Sequence, residues 1–414
     1  MRWSISCASS NAATADVLRR CCGSALRCYS DTLIGSTLTA QAMASTRKKT
    51  PAKGKTEAIG QIRTRIDAVD AQIHALINDR ARLAQQVGLS KHKDGHTVDF
   101  YRPEREAQVL RMAAARNDGP LRDEEVLRLF REIMSACLAQ EKPLKIGFLG
   151  PEGTFTQTAV LKHFGHSVRA LPLASIDEVF AEVQAGNADF GVVPIENSTE
   201  GTVNNTLDRF IHTTLHICGE VELRIHHYLM GSMKDLASVQ RVCAHAQALG
   251  QCRGWLDEHL PNAERVAVSS NAEGARRARD ERGTAAIAGE TAAEIYGLGV
   301  IAPKIEDQDD NTTRFLVIGR SLLRPSGDDR TTLMVSPGDD SSGALLRLLE
   351  PLAKHGVSMT RIESRPSRKR KWHYVFFIDI EGHAEDAHIA KALASLKQRA
   401  SLFRVVGSYP KAIL

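Results

Sequence analysis

The first regular pattern of apolar residues begins at Ile59. Apolar residues follow at positions 62, 66, 69, 73 and 76, and again at 83 and 87, so the spacing alternates between three and four. This spacing predicts a helix with an apolar seam like that of a coiled coil. Two further helices are predicted, EREAQVLRMAAAR after Pro103 and DEEVLRLFREIMSACLAQE after an NDGP break.

Beyond this helical segment, short apolar strands alternate with helices. Ile146 to Leu149 form the first strand and lead into a glycine-containing turn. The stretch SIDEVFAEVQAG carries a capping box from Ser175 to Glu178 and a helix-ending Gly186. The alternation continues to the apolar strand FLVIG and predicts an α/β domain with sites at strand ends.

From residue 330 the order of predicted elements changes. RTTLMVS, MTRIESRPS, WHYVFFIDIEGH and FRVVGSYP are strand-like, whereas GALLRLLEPLAKHG and DAHIAKALASLKQRA are helical. The resulting βαββαβ order predicts a ferredoxin-like α+β domain.

Composition places the chain among multidomain globular proteins. It has 414 residues, 43% hydrophobic and 25% charged, which implies two to four domains. Its apolar runs are too short to span a bilayer. Part of the net charge of +5 lies in RKKTPAKGK at 47–55, which we interpret as a solvated linker. We therefore expect neither a nucleic-acid nor a membrane partner.

Cysteine usage indicates a reducing compartment. Four of the eight cysteines precede residue 30, and the others show no Cys-x-x-Cys pair or zinc spacing. We expect a cytoplasmic protein. Residues 1–55 are rich in Ser, Thr, Ala and Arg, like a transit peptide. A poorly ordered extension, or a start at Met43, is the interpretation we favour.

Two cations interrupt the seam of the first helix. The alternating spacing of three and four predicts an apolar residue at position 80, but the sequence has Arg80 there. Lys91 lies only about 20° from Arg80 around the helix. Buried charge is costly unless it is paired, so these cations indicate an anion site. The alternative is that both snorkel to water at the helix end. Arg63 lies about 100° from Arg80 and should face a different neighbour.

These cations, the pair Arg105-Glu106 and two polar positions on the third helix resemble the all-helical chorismate mutase family, over residues 56–142. The resemblance implies an intertwined dimer in which Arg63 enters the partner's active site. It implies that cations bind the two carboxylates or the ether oxygen of chorismate and that Glu106 binds a hydroxyl. The implied chorismate contacts are Arg63, Arg80, Lys91, Arg102, Arg105, Glu106, Cys137 and Glu141.

The sequence departs from the enteric pattern of that family on the third helix, where Cys137 and Glu141 replace Ser and Gln. Before the second helix Arg102 replaces Asp, across a two-residue length difference. An ionised Glu141 cannot donate to the ether oxygen, so we expect it to be protonated and mutase activity to decline as pH rises. Glu141→Gln should flatten that decline, unless Glu141 turns outward to pair with a surface cation.

Four phrases in the α/β region, GPEGTFTQTA, VVPIENSTEGTVNNTLD, AHAQALGQC and NTTRF, resemble the prephenate dehydratase family. The resemblance covers residues 144–322. It implies two lobes, like those of periplasmic binding proteins, with the second lobe inserted at about 223–297 and the active site in the cleft between them.

The last strand of this region begins with Thr312, Thr313 and Arg314. These residues either form an ordinary strand end or hold a substrate. The resemblance identifies Thr313 with the family's essential threonine, a proton donor to the departing hydroxyl of prephenate. Arg314 would neutralise a substrate carboxylate or orient the loop. The opposite wall would consist of Asn197, Ser198, Thr199 and Glu200.

In the last domain, residues 330–414, the phrases GALL and ESRP resemble the phenylalanine-binding motifs of ACT domains, which pair and bind amino acids at their interface. The alternative is a merely structural domain. The implied effector residues are Gly343, Ala344, Leu345, Leu346, Glu363, Ser364, Arg365 and Pro366.

Together the resemblances imply an enzyme that converts chorismate to prephenate and prephenate to phenylpyruvate, with feedback inhibition by phenylalanine. The implied catalytic residues are Arg80, Lys91, Glu141 and Thr313. We expect a homodimer or a higher even oligomer without metal or organic cofactor. Two rival interpretations are a dehydratase with a non-catalytic helical dimerisation domain and an amino-acid-binding regulatory protein.

Overall fold

The computed structural model describes residues 58–92, 101–140, 142–339, 341–367 and 373–413. The chain divides into two compact units, Met1–Arg63 and Thr64–Leu414. Apart from the start of the first helix, the architecture below belongs to the second unit. No helix within the described ranges is both long and apolar enough to cross a membrane.

The N-terminal part is helical, as its periodicity predicts. Its helices are α1 (Ile59–His92), α2 (Pro103–Ala115) and α3 (Asp123–Ala139). Proline fits the first turn of α2 because its missing N–H would have no partner there. Three acidic residues in the first turn of α3 complement the positive end of the helix dipole.

The apolar seam of α1 is exposed in the single chain. Ile66, Leu76 and Leu83 are 52%, 67% and 60% exposed. By contrast, α2 and α3 bury Leu110 and Leu127 almost completely. The expectation that the seam is buried is therefore not met within one chain.

The α/β region begins with a six-stranded sheet. Its elements are β1 (Lys145–Leu149), α4 (Phe155–Phe164), β2 (Arg169–Leu173), α5 (Ile176–Ala185), β3 (Phe190–Asn197), β4 (Gly201–Thr202), α6 (Asn204–His212), β5 (His216–Arg224) and β11 (Thr312–Gly319). The main strand order is β2-β1-β3-β11-β5. β1 runs parallel to β2 and β3, whereas β11 returns antiparallel between β3 and β5.

A second, five-stranded sheet is inserted between β5 and β11. Its elements are β6 (Tyr228–Gly231), β7 (Arg241–His245), α7 (Ala246–Gln251), α8 (Arg253–His259), β8 (Glu264–Val268), α9 (Asn271–Asp280), β9 (Thr284–Ala288), α10 (Glu290–Tyr296) and β10 (Gly299–Ala302). The strand order is β10-β6-β9-β7-β8. The inserted lobe, expected at about 223–297, begins after β5, which ends at Arg224, and includes β10, which pairs with β6.

The C-terminal part has the predicted βαββαβ order. Its elements are β12 (Asp329–Pro337), α11 (Ala344–Lys354), β13 (Met359–Pro366), β14 (Tyr374–Glu381), α12 (Ala387–Arg399) and β15 (Ala400–Pro410). The antiparallel sheet has the order β13-β14-β12-β15, the ferredoxin-like arrangement.

The C-terminal sheet shares a hydrophobic core with the first α/β sheet. Phe377 and Tyr409 belong to the same buried cluster as Phe210 and Ile217. Gly407 allows this close approach, since a Cβ at that position would overlap the backbone of Ile217. Cutting the chain at residue 330 would consequently expose core residues on both sides.

Candidate active sites

A cleft of about 570 Å³ opens between the two α/β sheets. The first sheet contributes the start of α4, the end of β3 and Thr313 of β11, whereas the inserted sheet contributes His227, Gln251 and the start of α9. The cleft thus lies at strand and helix ends of both lobes, where α/β proteins bind ligands.

Hydrogen bonds fix the orientation of the Thr313 hydroxyl. The side-chain oxygen of Asn197 accepts from the backbone N–H groups of Thr199 and Glu200, each at 3.0 Å. The amide nitrogen of Asn197 must therefore donate, and it does so to Thr313 Oγ1 at 2.8 Å and to Asn311 Oδ1 at 2.8 Å. Because Thr313 accepts this bond, its own hydroxyl hydrogen is available to a ligand in the cleft.

The same chain of bonds crosses to the inserted lobe. Asn311 Nδ2 donates to Gln251 Oε1 at 3.2 Å, and that oxygen lies 2.8 Å from His227 Nε2. Because Gln251 presents an acceptor, His227 must carry its proton on Nε2. Burial lowers the pKa of His227, although its bond to Gln251 acts against this.

The sequence analysis did not predict Asn311, Gln251 or His227 as site residues. Gln251 ends the phrase AHAQALGQC and Asn311 begins NTTRF, so both stood inside recognised phrases. His227 carried no such signal. It contributes through the strand pairing that brings the start of β6 to the cleft.

Two helix starts, one from each lobe, make the cleft attractive to anions. Thr154 caps α4 by accepting from the Gln157 N–H, and Ser270 caps α9 by accepting from the Glu273 N–H. The first residues of both helices line the cleft. Their unpaired backbone N–H groups and helix dipoles favour carboxylates.

Arg314 does not reach this cleft. Its guanidinium donates to Glu220 and to Asp379, both at 2.8 Å, and to the Tyr409 hydroxyl at 3.0 Å. The side chain is only 11% exposed. Adjacent residues of a strand face opposite sides, so Arg314 ties the first α/β sheet to the C-terminal sheet instead. The predicted contact with a substrate carboxylate is therefore wrong in this structure.

The predicted opposite wall is reached only in part. Asn197 and Glu200 line the cleft with Thr313, whereas Ser198 and Thr199 do not. Ser198 instead exchanges hydrogen bonds with the backbone of Thr312, each at 2.9 Å, and closes the mouth of β11. Since both amide atoms of Asn197 are engaged, it positions Thr313 rather than offering a free group to a ligand.

The helical part brings Glu106 to a second, smaller cavity of about 40 Å³. The Glu106 carboxylate shares this cavity with Tyr101 and Arg131. Burial raises the pKa of Glu106 to about 7, although Arg131, Tyr101 and Arg80 act in the opposite direction. Tyr101 and Arg131 were not predicted, because neither stands in the seam of α1.

The other predicted chorismate contacts are more scattered. Arg102 and Arg105 are exposed, whereas Cys137 is buried. Lys91 lies on α1, but its side chain and all of Glu141 lie outside the described residues. The roles predicted for Lys91 and Glu141 therefore stay predictions, and so do those of Arg63, Arg102, Arg105 and Cys137.

The two effector phrases lie at the start of α11 and on the edge strand β13. Gly343 has a φ of +78°, which glycine tolerates, and Leu346 is 75% exposed. On β13 the side chains alternate, so Ser364 and Pro366 are exposed. Glu363 instead accepts from Thr202 at 2.5 Å, and Arg365 donates to Asp208 at 2.8 and 3.0 Å. Half of the ESRP phrase thus contacts the first α/β sheet and its helix, and Thr202 also lines the cleft.

Comparison with known proteins agrees with these features. Models of three families match: chorismate mutase type II at residues 62–142, prephenate dehydratase at 146–322 and the ACT domain at 338–398. Each match falls within the corresponding predicted domain, whose outer limits stay predictions.

Among curated relatives, the bifunctional chorismate mutase/prephenate dehydratase of Stutzerimonas stutzeri is 55% identical over 357 residues, covering 85% of this chain and 98% of the relative. The Escherichia coli K12 protein of the same name is 31% identical over 375 residues, covering 84% and 95%. A solved prephenate dehydratase from Arthrobacter aurescens, in complex with L-Phe, is 39% identical with a TM-score of 0.61, covering 65% of this chain and 90% of that one.

The predicted fold class and the three family resemblances are thereby confirmed. The chain belongs to the family of bifunctional chorismate mutase/prephenate dehydratases that carry an ACT domain.

Proposed function

We propose that the helical segment rearranges chorismate to prephenate and that the cleft converts prephenate to phenylpyruvate, with phenylalanine as the inhibitor. The observation that carries the proposal is the Thr313 hydroxyl, which accepts from Asn197 and keeps its hydrogen for the cleft. The test is to supply chorismate to the purified chain and follow both products. Prephenate must rise first and phenylpyruvate must follow, whereas unconverted chorismate would contradict the proposal.

The chemistry of the second step explains the cleft. The ring C–O bond breaks as the hydroxyl takes a proton and leaves as water. The bond to the ring carboxylate breaks as carbon dioxide leaves, and its electron pair completes the aromatic ring. Thr313 donates to the departing oxygen, and the bond from Asn197 strengthens Thr313 as a donor. The starts of α4 and α9 hold substrate carboxylates.

The first step requires a different environment. The rearrangement of chorismate involves no nucleophile and no proton transfer, so the site must hold a compact conformer and stabilise charge at the ether oxygen. The charge of Arg80 lowers the pKa of Glu106, which supports a shared site for a carboxylate or the ether oxygen of chorismate beside one of its hydroxyls. The remaining proposed contacts are Arg63, Lys91, Arg102, Arg105, Cys137 and Glu141.

We also propose that two copies of the chain cover the exposed seam of α1. Ile66, Val69, Ile73, Leu76, Leu83 and Val87 all belong to the seam and are each about half exposed or more. Such a stripe is rarely left in water, and a second copy offers the matching surface. The oligomer is then a dimer or a higher even assembly.

Ile73→Lys tests this assembly. A charge in the covered seam should weaken pairing, and mutase kcat/KM should fall at least about tenfold because Arg63 is proposed to come from the partner. Dehydratase kcat should stay within about twofold. Gln72→Lys, on the neighbouring exposed position, is the matched control for added charge. Light scattering measures the oligomeric state of both variants, and the mutase and dehydratase assays measure their activities. Full mutase activity in Ile73→Lys would contradict the proposed assembly.

Phenylalanine is proposed to bind at the ACT domain, next to the exposed Leu346. A relative 39% identical to this chain was solved with L-Phe, which supports an amino-acid effector. The contact of Glu363 with Thr202 offers a direct connection from the ACT domain to the cleft. An effector acts only through different affinities for two states, so such a connection is required.

Leu346→Asp should weaken inhibition by phenylalanine at least about tenfold, because a carboxylate replaces an apolar contact and repels the carboxylate of the effector. Activity without phenylalanine should stay within about twofold. Leu322→Asp is the control, since Leu322 is 62% exposed and lies outside the ACT motifs. Equal inhibition of both variants by phenylalanine would show that Leu346 does not belong to the effector site.

A cytoplasmic location is part of the proposal. Cys137, Cys243 and Cys252 are free thiols, which suits a reducing compartment.

A further inference from the structure

Tyr101 belongs to the mutase segment but packs inside the dehydratase part. It precedes α2 and falls within the chorismate mutase match at 62–142. Its ring is 8% exposed, and the ring centroid lies 5.4 Å from that of Phe164 and 5.3 Å from that of Phe190. The ring is therefore anchored by residues of the first α/β sheet and of α4.

The hydroxyl of Tyr101 lies between a dehydratase residue and a mutase residue. It is 3.3 Å from His163 Nε2 on α4, and it shares a cavity with the carboxylate of Glu106 on α2, whose charged form it stabilises. Gly219 leaves room for the imidazole, since a Cβ there would stand 3.3 Å from His163 Cε1. The three side chains thus form a short chain across the boundary between the two parts.

The direction of these bonds depends on charge. Burial lowers the pKa of His163 to about 3, with Arg131 adding to the effect, so the ring is neutral at physiological pH. The Tyr101 hydroxyl has one hydrogen, so if it donates this hydrogen to an ionised Glu106, the neutral His163 carries its proton on Nε2 and donates to the Tyr101 oxygen. Removing this bond would raise the pKa of Glu106, because Tyr101 favours the charged form.

Other charges surround the same carboxylate. The charges of Arg80 on α1 and Arg131 on α3 both lower the pKa of this carboxylate. The remaining charged or titratable residues that line the cavity are Lys162, Cys218, Glu220, Glu222 and Lys411. Arg131 lines the cavity; its Nη2 donates to the Ile413 carbonyl at 3.4 Å, whereas its Nε is buried without a hydrogen-bond partner.

We propose that Tyr101 and His163 are positioning residues for the mutase reaction: His163 orients the Tyr101 hydroxyl, which holds the Glu106 carboxylate ready to accept the hydroxyl of chorismate. The inference rests on the proposed role of Glu106. It means that a residue of the dehydratase part completes the mutase site of this chain.

Tyr101→Phe in the full chain tests the first link, because it keeps the packed ring and removes only the hydroxyl. Mutase activity requires the ionised Glu106, so it rises with pH through that pKa. The acid limb of mutase kcat/KM should move up by roughly one pH unit in Tyr101→Phe. Dehydratase kcat should stay within about twofold. An unmoved mutase profile in the folded variant would overturn the inference.

His163 tests the second link. His163→Phe should shift the mutase profile in the same direction, whereas His163→Gln, whose amide can replace Nε2, should stay near the wild type. Since His163 acts through Tyr101, the double variant Tyr101→Phe/His163→Phe should match Tyr101→Phe alone. Additive shifts would contradict the chain of contacts. If Tyr101→Phe fails to fold, the comparison of His163→Phe with His163→Gln decides in its place.

Glu106→Gln separates the two proposals. If this variant keeps full mutase activity, the proposed role of Glu106 is wrong and the inference falls with it. If it loses mutase activity while Tyr101→Phe and His163→Phe keep the wild-type profile, the inference alone is wrong.

Discussion

Thr313→Ala is expected to lower dehydratase kcat by about a thousandfold, the size of effect expected from losing a general acid. The hydroxyl that protonates the departing oxygen is lost, whereas the helix starts that hold the carboxylates stay in place. The KM for prephenate should therefore change little. Thr313→Ser keeps the hydroxyl and should remain within about tenfold of the wild type.

Thr312→Ala is the matched control for this prediction. Thr312 precedes Thr313 on β11, but its hydroxyl makes only a 3.4 Å contact with the Asp310 carbonyl. Initial rates with prephenate, measured for all three variants, distinguish the proposed donor from a general effect on the strand. If Thr313→Ala kept more than a tenth of the wild-type kcat, Thr313 would not be the proton donor.

Arg80→Ala is expected to lower mutase kcat/KM by about a thousandfold and to leave the dehydratase intact. Removing a preorganised charge at a developing oxyanion has effects of this size. Loss of Arg80 also removes a positive neighbour of Glu106 and so favours protonation of that carboxylate. Both effects act against the binding of chorismate in its reactive conformer.

Arg82→Ala is the control for Arg80→Ala, because it removes a cation two residues further along the same helix. Arg82 is exposed and pairs with Asp79 at 2.5 Å, so its loss should be nearly neutral. Equal losses in both variants would indicate damage to α1 rather than loss of a site residue. Unchanged mutase activity in Arg80→Ala would support the rival interpretation, in which the helical part is a non-catalytic dimerisation domain.

The fold was predictable because its signals are local. The spacing of three and four in α1 and the alternation of strands and helices follow from periodicities of 3.6 and 2 residues. The capping box at Ser175 is a local signal of the same kind, and the Ser175 hydroxyl accepts from the Glu178 N–H as predicted. The end of the inserted lobe could be placed only approximately, because β10 has four residues and gains its place by pairing with β6.

The error at Arg314 was avoidable from the sequence. Thr313 and Arg314 are neighbours on one strand, and neighbours point to opposite faces, so both side chains could not line the same cleft. The cleft lies on the face of the sheet to which Thr313 points, and Thr313 is the residue that was identified by resemblance. The partners of Arg314, Glu220 and Asp379, come from distant parts of the chain and leave no local signal.

The hydrogen-bond chain behind Thr313 was not predictable in the same way. Its order, from Asn197 through Asn311 and Gln251 to His227, depends on the pairing of β11 with β3 and on the position of the inserted lobe. Tyr101 was missed for a related reason. It stands in a polar stretch between two helices, and its burial depends on α4 of another domain.

The most direct test of the two-site account is to supply chorismate to the Thr313→Ala chain and to follow chorismate, prephenate and phenylpyruvate together. The account predicts that chorismate disappears at the wild-type rate and that prephenate accumulates in equal amount, with almost no phenylpyruvate. Chorismate that stays unconverted in this folded variant, or phenylpyruvate that forms at the wild-type rate, would contradict it.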